Sequence, residues 1–194
     1  MILETSRLLI RPILPKDASA LYRYRKDIDS NRYQSWIPKT LEEAMLFIKN
    51  TSSLINTPNT WFQLVVLEKK SNVLIGDIGL HFFDENNKQV EVGCTLDKHF
   101  QGNGFATEAL FKILDLLFND FSKHRITASV DPDNLSSIKL LERLGFRKEA
   151  HFKKSLCMDG KWIDDVIYAI LEEEYKNSSI HANFCEAINS TPDN

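Results

Sequence analysis

The residues best suited to chemistry form a short glycine-containing segment, residues 101–107, with the sequence Gln-Gly-Asn-Gly-Phe-Ala-Thr. Glycine has no Cβ, so the backbone at Gly102 and Gly104 can approach a bound group closely. Apolar spacing predicts that a helix follows at once, and the start of a helix carries free N–H groups and the positive end of its dipole. Together these features favour an anion site suited to phosphate, although a tight strand–helix turn would also need glycine.

Two other kinds of phosphate loop do not fit this segment. A dinucleotide-binding fingerprint needs a third glycine where this sequence has Thr107, and it lies in a strand–helix–strand unit. The predicted elements here place antiparallel hairpins first. A Walker loop ends in Gly-Lys-Ser or Gly-Lys-Thr, which the chain does not contain. A nucleotide-dependent oxidoreductase is therefore disfavoured.

A carboxylate on the strand that leads into this segment could act as a general base. Glu91 lies ten positions before Gln101, and a carboxylate there could take a proton from a reacting amine, directly or through water. The alternative is that Glu91 is the solvent-facing residue of an alternating strand. Asp77, on the neighbouring predicted strand, is a weaker candidate. We interpret His81 and His151 as structural.

Hydrophobic periodicity predicts the elements that must position these residues. The first part of the chain predicts hairpin strands and two helices, and the second part alternates strands with helices before a final hairpin. The predicted strands cover residues 3–11, 61–68, 73–83, 90–96, about 126–130, 147–158 and 162–171. The predicted helices cover residues 17–27, 41–54, 104–119 and 135–144, with a loop over 28–40.

This order of elements predicts an α/β (α+β) protein with a mixed, mostly antiparallel central sheet of about seven strands flanked by helices. Asp159-Gly160 predicts the turn of the last hairpin. Glu108 falls off the apolar face of its helix. The polar, weakly patterned residues after 171 predict a frayed tail, so we assign one domain to residues 1–175 and the tail to residues 176–194.

The composition is that of an ordinary soluble globular protein. Of its 194 residues, 43% are hydrophobic and 26% are charged, and the formal net charge of -3 argues against nucleic acid as a partner. No apolar run approaches the roughly 20 residues that span a membrane, and the N-terminus lacks a signal-peptide pattern. Three widely spaced cysteines, Cys94, Cys157 and Cys185, predict neither disulfides nor a zinc site and favour a reducing cytoplasm. We expect no metal and no membrane partner.

Two blocks of sequence in register resemble the GCN5-related N-acetyltransferase (GNAT) superfamily, in particular its ribosomal-protein alanine acetyltransferase branch. In the first block, Gln101, Gly104 and Ala106 match the family's cofactor loop, which reads Gln/Arg-x-x-Gly-x-Gly/Ala. The second block, residues 134–146, reads Asn-Leu-Ser-Ser-Ile-Lys-Leu-Leu-Glu-Arg-Leu-Gly-Phe. Further similarity to the branch's first strand and its substrate-side loop lies in segments 3–12 and 31–38.

The resemblance covers about residues 3–171 and implies the acyl-CoA N-acyltransferase fold. It implies transfer of an acetyl group from acetyl-CoA directly to a primary amine, through a ternary complex. The loop backbone would hold the CoA pyrophosphate, and backbone groups of Thr95 and Leu96 would pair with the pantetheine amides. The implied cofactor-binding residues are Thr95, Leu96, Gln101, Gly102, Asn103, Gly104, Phe105, Ala106, Thr107, Asn134, Ser137 and Lys139.

Three of these residues also have a simpler interpretation. Asn134 precedes a predicted helix and could only cap it, because asparagine is a good N-cap. Ser137 and Lys139 could be solvated residues of that helix.

The resemblance also implies catalytic roles. Many family members carry a glutamate at the position of Glu91, and backbone N–H groups near Thr95 could stabilise an oxyanion if their strand splays from its neighbour. In many members a tyrosine at the start of the second block protonates the departing CoA thiolate. This chain has Leu140 and Leu141 there, so Ser137 or an ordered water must serve, or the thiolate leaves unprotonated.

The acceptor stays open at this point. Tyr33 and Trp36 could line its site, because loop aromatics often bind ligands, or they could form the loop's own small core. A protein N-terminal α-amine and a small-molecule amine both fit, and so do a monomer and a homodimer. The alternative function is a non-catalytic acetyl-CoA-binding sensor or interaction module, which predicts cofactor binding without turnover.

Overall fold

One eight-stranded sheet organises the chain, in the order β1-β2-β3-β4-β5-β6-β8-β7. The computed structural model describes residues 1–158 and 160–178. The strands are β1 (Leu3–Glu4), β2 (Leu8–Pro12), β3 (Thr60–Glu68), β4 (Val73–Phe82), β5 (Gln89–Leu96), β6 (Arg125–Val130), β7 (Arg147–Met158) and β8 (Lys161–Leu171). The helices are α1 (Ala18–Arg25), α2 (Ile28–Asn31), α3 (Leu41–Asn50), α4 (Phe105–Asp115), α5 (Leu135–Arg143) and α6 (Glu172–Asn177).

The strand pairing confirms the predicted mixed, mostly antiparallel sheet. Only β5 and β6 pair in parallel, and the other neighbours are antiparallel. The sheet has one strand more than the seven expected, because the predicted first strand breaks at residues 5–7 into β1 and β2.

The two faces of the sheet carry different helices, because successive side chains of a strand point to opposite faces. Helices α4 and α5 pack on one face over a large apolar core that includes Leu64, Leu80 and Val92. Helices α1 and α3 pack on the other face around Val65 and Leu74. Every second strand residue therefore faces the long helices α4 and α5. The residues between them face the opposite side of the sheet, where they can build a site.

The parallel pair β5–β6 is short, and this shortness opens the sheet. Its register joins Gln89 to Arg125, Val90 to Ile126 and Glu91 to Thr127. Among the described residues, β5 has no further ladder partner on this side, so the two strands diverge after Glu91. The divergence meets the condition on which the oxyanion prediction depended.

Several elements differ from the expected ones. The predicted loop over 28–40 contains the short helix α2, which Asp27 caps by accepting a hydrogen bond from the Ser30 backbone N–H, and α3 ends at Asn50 and not at residue 54.

Helix α4 gives way to a wider π-helical turn at Leu116–Asp120, whose first three residues are buried. The polar run after Leu171 does not fray at once but forms α6, because Tyr175 is buried against Phe111 and Phe118.

Parts of the sequence-based predictions fall outside the described residues. These parts are Asp159 of the predicted turn, Cys185, and residues 179–194 of the predicted tail. Across residues 1–158 and 160–178, no helix is long and apolar enough to cross a membrane.

Candidate active site

The predicted phosphate loop has the backbone shape that its glycines allow. Gly102 and Gly104 have φ angles of 77° and 80°, in the left-handed region that favours glycine. Gly104 is the N-cap of α4, and no side chain of the described residues caps that helix end. The first amides of α4 are therefore free to bind an anion.

Arg7 and Glu108 clamp this loop to the turn between β1 and β2. The Arg7 guanidinium donates to the Asn103 carbonyl (3.0 Å) and to the Glu108 carboxylate (2.6 Å). It also lies 4.5 Å above the ring centroid of Phe105. The Glu108 carboxylate further accepts hydrogen bonds from Thr5 and from the Arg7 backbone N–H. The loop carbonyl is thus held away from the side on which its amides are free.

Glu108 corrects a prediction. The sequence places it off the apolar face of α4, yet it is only 8% exposed. Burial alone would raise the pKa of this carboxyl, but hydrogen bonds from Thr5 and Arg7 outweigh that effect and lower it. The buried carboxylate is stable because hydrogen-bond donors from the N-terminal part of the chain contact it.

A cavity of about 590 Å³ beside the loop gathers most of the residues predicted to bind the cofactor. Asn103 is the predicted residue that does not line this cavity; its carbonyl accepts a hydrogen bond from Arg7 and its side chain donates to the Gln101 carbonyl. The predicted residues that line the cavity are Thr95, Leu96, Gln101, Gly102, Gly104, Phe105, Ala106, Thr107, Asn134, Ser137 and Lys139. Their contacts with CoA stay predictions.

The sequence missed two arginines of this cavity, Arg32 and Arg143. Arg143 donates to the Thr107 hydroxyl (3.3 Å), so it joins α5 to the start of α4. A last-turn arginine in a helix gives no local signal of a binding role.

Asn134 is an N-cap, as its alternative interpretation held. Its side-chain oxygen accepts a hydrogen bond from the Ser137 backbone N–H (3.2 Å). Asn134 and Ser137 nevertheless line the cofactor cavity, and Lys139 lies exposed at its edge. Asn134 therefore caps α5 and lines the cavity at the same time.

A second cavity, of about 520 Å³, adjoins the first and extends through the β5–β6 opening. Glu91, Trp36, Trp61 and Asp165 are among its lining residues. The two cavities meet in the opening, so we treat the second as the acceptor chamber. The residues that line both are Tyr33, Gln34, Cys94, Thr95, Asn134, Ser137 and Leu140.

Two glycines form the floor of the acceptor chamber. Gly79 of β4 and Gly93 of β5 are directly opposite in register. A Cβ on Gly79 would lie 3.2 Å from Trp61 and Gln63, whereas a Cβ on Gly93 would meet nothing within 4 Å. The vacant space therefore lies over Gly93, between the side chains of Glu91 and Thr95 on the same strand face.

Glu91 faces this space in a partly buried setting. Burial is the main cause that raises the pKa of its carboxyl, and the charge of Asp165 raises it further. Asp165 is 8% exposed and accepts a hydrogen bond from the Ser129 hydroxyl (2.6 Å). The sequence missed Asp165, although a carboxylate pair at 164–165 inside an apolar strand is a usable signal.

Asp77 does not fit the role of alternative base. It is completely buried. Its carboxylate accepts hydrogen bonds from Arg25 (3.0 Å to Nε), from the Tyr24 hydroxyl and from the Gln63 amide. With its oxygens occupied by strong donors, Asp77 braces α1 against β4 and is not available to a substrate amine.

The predicted substrate aromatics combine both of their interpretations. Trp36 stacks on Phe47 with ring centroids 4.4 Å apart, as part of a small core, and it also lines the acceptor chamber. The Tyr33 hydroxyl donates to the Asp133 carbonyl (3.2 Å) and its side chain lines both cavities.

The thiol of Cys94 lies at the junction but is unreactive. Burial and then the charge of Asp77 raise its pKa to about 12. The thiol is therefore protonated at neutral pH, and the thiolate is the nucleophilic form.

Comparisons with known proteins agree with this geometry. A family model described as an acetyltransferase (GNAT) domain matches residues 7–147. The chain belongs to the GNAT acetyltransferase family. It is an acetyl-CoA-dependent N-acyltransferase, and the GNAT fold expected from the resemblance is confirmed.

Three relatives place the chain within the GNAT family. N-acetyltransferase YnaD of Bacillus subtilis (strain 168) is 34% identical over 179 residues, which cover 90% of this chain and 99% of YnaD. A solved GNAT-family acetyltransferase from Bacillus anthracis is 30% identical, with a TM-score of 0.80, covering 89% of this chain and 99% of that chain. The ribosomal protein uS5-alanine N-acetyltransferase of Escherichia coli (strain K12) is 36% identical over 84 residues, 43% of each protein. The resemblance to the ribosomal-protein alanine branch is thereby confirmed.

The clamp on the GNAT loop yields a first prediction. We expect Arg7→Ala to weaken acetyl-CoA binding about tenfold, because a charge-assisted hydrogen bond to the loop is worth about 1.5 kcal/mol. Isothermal titration calorimetry would measure it. Arg147→Ala, which removes a surface arginine paired with Glu149 and Glu174, is the control and should bind as the wild type. Unchanged affinity in Arg7→Ala would contradict the role of the clamp.

The chamber floor yields a second prediction. Gly93→Val should raise the KM for the amine at least about tenfold, because the valine methyl groups fill the vacant space, while acetyl-CoA binding stays unchanged. Steady-state kinetics with both substrates varied would test it. Gly93→Ala, with one methyl group, should have a smaller effect. A larger loss in acetyl-CoA affinity than in amine KM would place the acceptor elsewhere.

Proposed function

We propose that this enzyme transfers the acetyl group directly from acetyl-CoA to a primary amine while both substrates are bound. The observation that carries the proposal is the meeting of the two cavities at Cys94 and Thr95, inside the β5–β6 opening. Substrates bound in two cavities that meet there can place an amine against a thioester without a covalent intermediate on the protein. The protonated thiol of Cys94 agrees with direct transfer.

The cofactor would lie along the open edge of β5. Within the described residues, β6 no longer pairs with β5 beyond Glu91, and every second residue of β5 directs its N–H and C=O to that open side, so the backbone around Thr95 and Leu96 can hydrogen-bond the pantetheine amides as a strand would. The pyrophosphate would lie on the amides of residues 102–107 at the start of α4. A backbone N–H of the same open edge would stabilise the oxyanion.

Glu91 would accept the proton of the amine. A lysine amine has a pKa near ~10.4 and an α-amine near ~8, so both arrive mostly as ammonium ions at neutral pH. The raised pKa of Glu91 makes it a stronger base than an exposed carboxylate. The amine nitrogen then bonds to the thioester carbonyl carbon, the carbon–sulfur bond breaks, and CoA leaves as a thiolate.

Ser137 would donate a proton to that thiolate, because it lines both cavities at the start of α5. Tyr33 is a second candidate that the sequence could not offer. Its hydroxyl reaches the carbonyl of Asp133, next to Asn134, from a position 100 residues away in the chain.

The acceptor class follows in part from the chamber. Glu91, Asp131 and Asp165 line it, and this negative lining favours an ammonium ion. The similarity to an enzyme named for alanine acetylation of a ribosomal protein supports a peptide N-terminus. A small-molecule amine fits the same chemistry.

The proposed base is tested by following thiol release from acetyl-CoA against a panel of amines and short peptides. We expect amine-dependent release in the wild type and a loss of about 10²- to 10⁴-fold in kcat for Glu91→Gln, because a positioned general base contributes about that factor. Glu85→Gln, on an exposed turn, is the control. Tight acetyl-CoA binding with no amine-dependent release in the wild type would instead favour the non-catalytic sensor.

The charge of Asp165 generates a pH prediction. Asp165 raises the pKa of Glu91, and the base works only when it is deprotonated, so activity rises with pH through that pKa. Asp165→Asn should therefore move the acidic limb of the kcat/KM profile to lower pH. Asp164→Asn is the control, because Asp164 is paired with Lys153 and His151. An unmoved limb would mean that another group titrates.

A further inference from the structure

An ammonium acceptor creates a proton problem for an enzyme of this kind. The ammonium loses two protons as it becomes an amide, and the CoA thiolate takes up one of them. The other proton must reach solvent before Glu91 can act again. In a ternary complex both substrates would fill the cavities that Glu91 faces, so the proton needs another way out.

His81 lies beside Glu91, on the neighbouring strand and the same face of the sheet. The two residues are directly opposite in the β4–β5 register. His81 Nδ1 is 4.0 Å from Glu91 Oε2, a gap that a small rotation of the carboxylate would close. Among the described residues, the chamber lining includes Glu91 and does not include His81. Glu91 therefore separates the imidazole from the acceptor.

Aromatic packing fixes the imidazole in this place. The His81 ring stacks face to face on Trp61, with centroids 4.6 Å apart and an interplanar angle of 4°. Phe83 lies at a tilted 5.7 Å. The His81 side chain is 30% exposed, so it contacts both solvent and the half-buried carboxylate.

We propose that His81 carries the proton from Glu91 to solvent and so resets the base in each turnover. This inference rests on the proposed function of Glu91. The proton moves from the amine nitrogen to the Glu91 carboxylate, then from the carboxylic acid to Nδ1 of the neutral imidazole. The imidazolium then releases one proton to water, and proton exchange with solvent returns the neutral ring to the form with a free Nδ1, so the balance is one proton per acetylation.

The charges around the pair agree with this direction of transfer. Burial lowers the pKa of His81, so the ring is neutral and able to accept a proton at neutral pH. Burial and Asp165 raise the pKa of Glu91, which brings the two groups closer in proton affinity. The groups that face His81 are Glu91 from β5, Trp61 from β3 and Phe83.

Chemical rescue tests the relay. We expect His81→Ala to lower kcat about tenfold or more, with the KM values for acetyl-CoA and amine within about twofold of wild type. Added imidazole should restore most of the loss, because it can occupy the space beside Trp61. His81→Gln keeps the volume without carrying a proton, so it should be equally slow and should not respond to imidazole. His124→Ala, at an exposed histidine, is the control for nonspecific imidazole effects.

Each outcome decides the matter. Wild-type kcat in either His81 variant, or a slow His81→Ala enzyme that imidazole does not restore, would overturn the relay. Thermal melts would check that both variants are folded. If His81→Ala does not fold, His81→Gln still tests the proposal. A wild-type enzyme that shows no amine-dependent thiol release refutes the proposed function itself, which is a separate result.

Discussion

The divergence of two neighbouring strands is the constraint on which this molecule depends. Strands β5 and β6 share three register pairs and then separate, because each runs on to a different helix. Helix α4 begins at Phe105, after β5, and α5 begins at Leu135, after β6. Since both helices start beyond the diverging strand ends, their positive ends lie at the opening, and the uncapped amides of α4 are free there. A single departure from regular pairing thus creates the cofactor groove, the acceptor chamber and the passage between them.

An opening in a sheet needs rigid walls, and buried polar groups supply them. Asp77 lies opposite Thr95 in the register and is held by Arg25, Tyr24 and Gln63. Removing one partner of such a buried pair typically costs about 3–5 kcal/mol, because the other charge is left without compensation. The network therefore fixes α1 beside the reacting centre. On the far side, the Ser129–Asp165 hydrogen bond gives β6 and β8 a matching polar link.

The sequence predicted the parts of this design that local pattern determines. The apolar spacing of α4 and the Asn134 cap each depend on residues within a few positions of one another. The glycine loop could be found for the same reason, and Glu91 by its distance from that loop.

Several of the missed features depend on partners distant in the chain. Glu108 is buried because residues 5–7 meet it, and Tyr33 reaches the start of α5 across 100 residues. Helix α6 exists because Tyr175 finds an aromatic slot on α4 and the turn that follows it. The apolar periodicity of a helix shows which face packs on the core. It does not show which polar groups will find hydrogen-bond partners when they are buried.

The clamp between Arg7 and the loop has a consequence for how the enzyme matures. The atoms that it joins, on Arg7 and Asn103, are 96 positions apart in the chain, and closing so long a contact is a slow, late event compared with forming a helix. A folding chain therefore forms its helices before the phosphate loop is held in place. The ability to bind the coenzyme therefore depends on the complete tertiary fold and is gained at the end of folding.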